Sequence, residues 1–551
     1  MQHPLLFALC LLLCACPQVA GDPPDDDDAA DDDDAANDDD AADDDDAAND
    51  DDAANDDDST PDPAWRSALY PDDWEPSFTD AEGRFLHDFS YAGYHRGEVP
   101  LPEAPPVAAD VLDFGADPTG ATDSTDAIQA AIDSVTEGTV FLPAGSYRCD
   151  GLLRVERSGV VVAGAGPDDT FLWFTRGTNM SDTGHITFAG TLTRGDEVLL
   201  VDDAPARSFD LEGAVPGEDV AIGWVITDDY VAEHGMSDTW QAFNGTWQPF
   251  FRREVLADGS LDIPLRAAAL VRDGASYKPE SGYLREVGLQ DLSVSTVVSW
   301  SDAWSNDRSH AVRMHQVADA WVRNVRSFES ENSGDDRGRH LQSGGIMVVD
   351  SKRVTIADCE LGPSQNRGGG GNGYLFEVSR VGEVLVRDSV GTGGRHNFIQ
   401  NWGFGTTGCV WLRTHSREGV SNFNDSELFS SVGLSEFHHS LATANLIDSS
   451  VADDGWGATN RGDWSTGAGH SASENVFWNT AGDGVVRSYQ YGWGYVIGTT
   501  GVSVEASIAD DGLFSPGEGT EPDDFVEGME IGEHVTPSSL YEDQLLRRLG
   551  R

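Results

Sequence analysis

The chain has 551 residues, of which 97 are Asp or Glu and 34 are Lys or Arg, for a formal charge of −63. Asp22 to Asp58 contributes 22 aspartates and no basic residue, and the remainder of the chain is acidic as well. Such a surface repels nucleic acid and anionic membranes at long range, which excludes both as general partners, while 61 glycines against 24 prolines suit a turn-rich β architecture.

At the N-terminus, Leu5 to Cys14 form an apolar core too short to span a membrane and suited to a secretory signal. Leu13-Cys14-Ala15-Cys16 resembles the bacterial lipobox, and by that resemblance residues 1–16 are a lipoprotein signal peptide and Cys16 carries the lipid. The expected location is the bacterial outer membrane or cell surface, held through the lipid anchor only, with plain secretion after cleavage near Ala20 as the alternative. Residues 17–62 repeat Asp-Asp-Asp-Asp-Ala-Ala with Asn substitutions, cannot bury apolar surface, and read as an extended disordered stalk. The central Gly and terminal Glu of an EF-hand loop are missing, so Ca²⁺ capture by this stretch is diffuse. Residues 63–106 read as an arm packed on the body. Of the six cysteines, Cys149, Cys359 and Cys409 lie in the body, and an odd number argues against a disulfide framework.

Asp123 to Gly138 predicts an amphipathic helix, with Ile128, Ala131, Ile132 and Val135 on one face, placed to close the open end of a solenoid. The solenoid is announced further on. A phrase of apolar residue, any residue, then usually Asp or Asn returns at Leu289, Val322, Ile356, Val386, Leu412, Leu446 and Phe477, at spacings of 26 to 34 residues. Each copy sits in a short β-branched run followed by turn residues. Met314, Val348 and Val378 lie eight residues before three of these positions, which fits two strands per turn joined by a corner. Stacked coils of this kind bury an aliphatic column, and the recurring Asp and Asn can satisfy corner backbone groups.

Asp113-Phe114-Gly115-Ala116-Asp117, Thr122 to Ile132 and Gly138 to Tyr147 together resemble the opening of the pectate-lyase superfamily, in its rhamnogalacturonase/epimerase-like branch. That resemblance implies an all-β, right-handed parallel β-helix solenoid, here with an N-terminal capping α-helix and a β-rich insertion, of a kind that cuts or modifies polysaccharides. The β-helix is expected over 107–500, with residues 177–286 as the insertion. Trp224, Trp240, Trp247, Phe250 and Phe251 beside Arg252 and Arg253 in that insertion are either a sugar-stacking platform or an accessory core, and the core is the commoner fate of such rings. Residues 501–551 read as an acidic linker and a C-terminal helix, with Leu540, Tyr541, Leu545, Leu546 and Leu549 on its apolar face.

Chemistry is expected between Arg395 and His470, where polar residues crowd successive coils and adjacent coils lie about 4.8 Å apart. Eliminative cleavage of a uronate polymer needs a base beside a carboxylate-neutralising group, and His396, His438 and His470 are the candidate bases, with Arg395 and Arg461 or a bridging Ca²⁺ as neutralisers. Hydrolysis needs two carboxyls instead, for which Asp453, Asp454 and Asp463 are the candidates. Asn397, Trp402, His439 and Asn445 complete the expected polysaccharide-binding set. No cofactor is required by these residues, and Ca²⁺ is the one ion they suggest. A lyase on uronate-containing glycan, a glycoside hydrolase of the same fold and a non-catalytic glycan-binding adhesin all stay open, as do the sugar and the oligomeric state.

Overall fold

The computed structural model describes residues 64–301, 303–333, 337–422, 428–506 and 522–551; the leader, Cys16 and the acidic repeat lie outside these. The body is a parallel β-helix. Its coils carry three short faces rather than the two strands expected, because a brief second strand follows the Asp/Asn corner before the chain turns again. The first face stacks strands such as Gly138–Leu142, Val160–Gly164, Lys352–Ala357, Leu385–Arg387, Val410–Leu412 and Leu446–Asp448. The second stacks Gly145–Cys149, Thr170–Phe174, Val390–Thr392 and His415–Arg417. Ten strands form the third, from Leu153–Val155 through Ser309–His315, Gly344–Val349, Tyr374–Ser379, His396–Gln400 and Ser435–Phe437 to Ser503–Glu505. Phe525–Glu527 adds a further first-face strand, so the β-helix runs past residue 500 into the stretch expected to be linker. The capping helix spans Thr125–Ser134, with Ile128, Ala131 and Ile132 buried over the first coil.

The recurrent phrase of the sequence is the bend between first and second faces. Leu289, Val322, Ile356, Val386, Trp411, Ile447 and Phe477 pair in unbroken register and fill the core. Two residues after each stands a left-handed backbone position: Asp291, Asn324, Asp358, Asp388, Arg413, Ser449 and Asn479 all have φ between 49° and 57°. Asp and Asn recur there because they tolerate that conformation best among non-glycine residues. Asn324 also donates to Asp291 Oδ1 at 2.7 Å across one coil step. Leu412 and Leu446, taken from the sequence as inward residues, point outward instead, and Trp411 and Ile447 hold the inward positions. The outer side of the first face is itself apolar and covered: Leu412, Leu446, Val476 and Trp478 pack under Leu69, Tyr70, Trp74 and Phe89 of the arm and under Leu540 and Tyr541 of the C-terminal helix Leu540–Arg548. A strand buried on both sides shows no alternation, which is why the register slipped there.

Within the span expected as insertion, Thr183–Ala189 is a third-face strand, and the antiparallel five-stranded sheet lies between Thr193–Arg194 and Ser276–Ser281. Its aromatics are core: Trp224, Trp240, Phe250 and Phe251 are buried among themselves, and Trp224 stacks on Phe250 at 3.8 Å. Arg252 and Arg253 are buried too; Arg252 pairs with Glu280 within the insertion, and the two arginines anchor the insertion to the coils through Asp350 and Glu383.

Candidate active site on the third face

Along the third face Phe376, Phe398 and Phe437 point into the core, so their strand neighbours Glu377, Ile399 and Glu436 project outward in one column of Cα partners. Around that column the coils assemble a nearly dry polar cluster. Tyr374 and His396 pair across adjacent coils with ring centroids 5.1 Å apart, and the His438 ring lies 5.5 Å from His396 and 6.0 Å from Tyr374. Glu436 sits between the two imidazoles: Oε1 contacts His438 Nδ1 and stands 3.4 Å from His396 Nε2, while Oε2 accepts from Arg461 Nη1 at 2.7 Å. Two coil steps from Glu436, Glu377 accepts from Arg308 and, at 2.9 Å, from Asn401, and the Arg308 guanidinium lies 5.5 Å from the Tyr374 ring.

Burial pushes the His396 imidazole down to about 4, with Arg395 and Arg461 adding to the effect and Glu436 opposing it. His438 is driven further down by burial and by Arg461. Both rings are therefore neutral at neutral pH. Burial alone would raise Glu436, but Arg461 and the two histidines outweigh it and hold the carboxylate well below its ordinary range. His396, Glu436 and His438 offer ligand atoms all within 4.8 Å of one another and could hold a metal ion. His95, Glu286 and Asp319 form a second such trio, but there Asp319 already takes Arg353 twice and Arg285, each at 2.7 Å, and Glu286 takes Tyr94 and His95.

The residues expected from the sequence divide. His396, His438 and Arg461 meet in this cluster, while Arg395 donates to the Gly368 carbonyl at 2.6 Å and acts on the cluster through its charge. His439 turns to its side, with Nε2 on the Ser465 carbonyl at 3.1 Å, and its ring supports the exposed Trp402 at 4.3 Å; Ser465 Oγ meanwhile lies 3.1 Å from His438 Nε2, so one residue touches both histidines. His470 is elsewhere: it packs on Trp240 and Tyr491 with Nε2 on the His234 carbonyl, because the loop after Arg461 leaves the coil and rests on the insertion. Asp463 is exposed on that loop, within 3.4 Å of Thr239. Asp454, pushed up to about 6 by burial, has the pKa of a general acid but not its position, since its oxygens take Asn397, Ser416 and the Gly419 amide inside the corner between second and third faces. Asn397 is spent on that corner, and Asn445 on an interior ladder with Cys409 and Asn475. Glu436, Glu377, Tyr374 and Arg308 were given no role from the sequence. Glu377 carried a signal, a lone charge in the apolar run Tyr374-Leu375-Phe376-Glu377-Val378, whereas Tyr374 and Arg308 carried none.

Residues 108–226 match the family described as rhamnogalacturonase A/epimerase, pectate lyase-like. This stretch is pectate lyase-like. The match covers the capping helix, the first coils and part of the insertion, and ends before every residue of the cluster. Among curated proteins of Azotobacter vinelandii, the chain is 43% identical to alginate lyase 7 over 90 residues, 14% of this chain and 10% of the relative. It is 36% identical to mannuronan C5-epimerase AlgE1 over 219 residues, 35% of this chain and 15% of the relative. The matches thus span a small part of these relatives' length. Among solved structures, the A-module of Azotobacter vinelandii mannuronan C-5 epimerase AlgE6 aligns at 14% identity and TM-score 0.33, covering 76% of this chain and 86% of that one. The gp54 tailspike of Acinetobacter baumannii bacteriophage AP22 aligns at 11% identity and TM-score 0.42, covering 83% and 72%.

Proposed function

We propose that the chain is a polysaccharide lyase acting on a uronate-containing glycan, with the His396–Glu436–His438 cluster as proton acceptor and Arg308, Arg395 and Arg461 as the positive charge that holds the sugar carboxylate. One observation carries this reading: neutral imidazoles stand among guanidinium groups, while the outward carboxyls Glu377 and Glu436 are both paired with arginine. Elimination requires that combination. A base removes the proton on the carbon beside the carboxylate, the positive charge stabilises the enolate that forms, and expulsion of the β-oxygen leaves a double bond. Hydrolysis by paired carboxyls would need a protonated acid facing the substrate, and Asp454, the carboxyl of this set with a raised pKa, faces the corner instead. Relatives named as an alginate lyase and as mannuronan C5-epimerases support a uronate polymer as substrate. Anchoring through Cys16 would place the enzyme where such polymers occur, outside the cytoplasm.

A panel of anionic glycans, followed by ultraviolet absorbance and by reducing-end assay, tests the proposal. Unsaturated product together with new ends supports a lyase; new ends alone mean a hydrolase, and neither signal means a binder. His396→Ala and His438→Ala are expected to abolish the absorbance signal, and turnover unchanged in both would remove the cluster from the mechanism.

A further inference from the structure

We infer that His396 Nε2, Glu436 Oε1 and His438 Nδ1 bind a divalent transition-metal ion. The inference rests on the reading of this cluster as the reaction centre, and it names the ion that centre takes.

The geometry is that of ligands awaiting a cation. His396 Nδ1 lies against the Leu434 carbonyl, which has only lone pairs to offer, so the ring proton is on Nδ1 and Nε2 is a bare lone pair. That Nε2 is buried, has no hydrogen-bond partner, and faces an electron-rich carboxylate oxygen at 3.4 Å. Two acceptors facing each other away from water repel, and a cation between them turns the repulsion into ligation. Their separation also fits: ligands at 2.0–2.1 Å from a tetrahedral zinc ion lie about 3.3 Å apart. Glu436 lies on the strand Ser435–Phe437 and His438 one residue past its end; His438 Nδ1, which donates to the same Oε1, must give up that proton for the ion to take its place.

Each ligand is held from behind as well. The far nitrogen of His396 is fixed by the Leu434 carbonyl, the far nitrogen of His438 by Ser465 Oγ at 3.1 Å, and the far oxygen of Glu436 by Arg461 at 2.7 Å. Outer partners of this kind set the tautomer and aim of metal-binding side chains. Two imidazoles and one carboxylate favour Zn²⁺, Co²⁺, Fe²⁺ or Mn²⁺ over Ca²⁺, which prefers an all-oxygen shell. Three protein ligands leave positions for the sugar carboxylate and for a water whose pKa the ion lowers towards neutrality, so the cluster keeps its role as proton acceptor.

The test uses the full chain, stripped with a chelator and titrated with Co²⁺ while visible absorption is followed. A saturable band at one ion per chain is expected, displaced by Zn²⁺ and absent in His396→Ala and His438→Ala. Because the aspartate-rich segment also attracts cations, the readout is the difference between wild type and these variants. Ser465→Ala, which leaves all three ligands in place, is expected to weaken binding roughly 10- to 100-fold with unchanged circular dichroism. Absence of a saturable band in the folded wild type, or the same band in His396→Ala, overturns the inference. The two readings fail separately: polyuronate cleavage that survives complete removal of metal leaves the lyase and sinks the ion, whereas a bound ion without cleavage of any polyuronate leaves the ion and sinks the lyase.

Discussion

Replacing Glu383 by glutamine is expected to loosen the insertion from the coils, and the size of the effect follows from what surrounds that side chain. Glu383 sits at a left-handed corner of the β-helix with no exposed surface; Oε2 accepts from Arg253 Nη1 at 2.9 Å and Oε1 lies 3.4 Å from Arg266 Nε. Both arginines belong to the insertion and are as fully buried, and Arg266 also reaches the Asp88 carbonyl of the arm at 2.7 Å. The variant therefore leaves two guanidinium groups in a dry joint without their counter-charge, while shape and volume barely change. Removing one partner of a buried ion pair costs about 3–5 kcal/mol. At about 1.4 kcal/mol per factor of ten, local opening should rise by roughly a hundred- to a few thousandfold. Hydrogen exchange at the amides of Asp219–Val225 and Trp247–Glu254 reads that opening directly. Exchange within tenfold of wild type in both strands would refute the argument that these charges hold the joint.

Two further outcomes are expected. Burial would raise Asp319, but the Arg353 fork outweighs it and holds the carboxyl at about 2, below the ordinary value near 3.9 in an unfolded chain. A depressed acid stabilises the fold fully above the unfolded value and loses that contribution as pH falls through the folded one, here about 2–3 kcal/mol between roughly pH 4 and pH 2. Urea unfolding midpoints should drop across that window, and Asp319→Asn should flatten the drop. Trp402→Ala removes an exposed ring supported by His439 and Phe243, and should raise KM for polymer roughly two- to tenfold with kcat little changed, the scale of about 0.5–1.5 kcal/mol for one ring contact.

The β-helix was legible because a corner that demands a left-handed residue writes Asp or Asn into most coils, as at Asp291, Asn324, Asp358 and Asp388. Register failed where the arm covers the first face and made Leu412 as apolar as Trp411. The site was harder to read, because in stacked coils the same residue types line the outside and close the corners. Asp454, Asn397 and Asn445 read as chemistry from the sequence, yet they satisfy backbone and hydroxyl groups in the interior. No spacing could reveal that Glu377 and Glu436 share one outward column, since the coil between them is lengthened by an antiparallel pair, Val420–Asn422 with Ser430–Val432. His470 was lost for another reason: the insertion, more than two hundred residues upstream, decides where its loop lies.

That dependence gives the insertion a role in the chemistry, and Gly469 exposes it. Arg461 and Ser465 reach Glu436 and His438 from a loop whose backbone is left-handed at Ser465, Thr466, Gly467 and Gly469, a run that contacts elsewhere must hold in place. The hold comes from the insertion: Trp240 Nε1 donates to the Ala468 carbonyl at 3.0 Å, and a Cβ on Gly469 would stand 2.3 Å from that same Nε1 and 2.6 Å from Met236 Sδ. Gly469→Ala thus adds about 1–2 kcal/mol of backbone strain to a steric clash, and the loop must lift from Trp240. Because Gly469 touches neither a coil strand nor a proposed ligand, the coils should unfold at the wild-type midpoint while glycan turnover and Co²⁺ affinity fall together. If turnover and ion binding both match wild type, the loop is not held by the insertion, and the placement of Arg461 and Ser465 owes nothing to it.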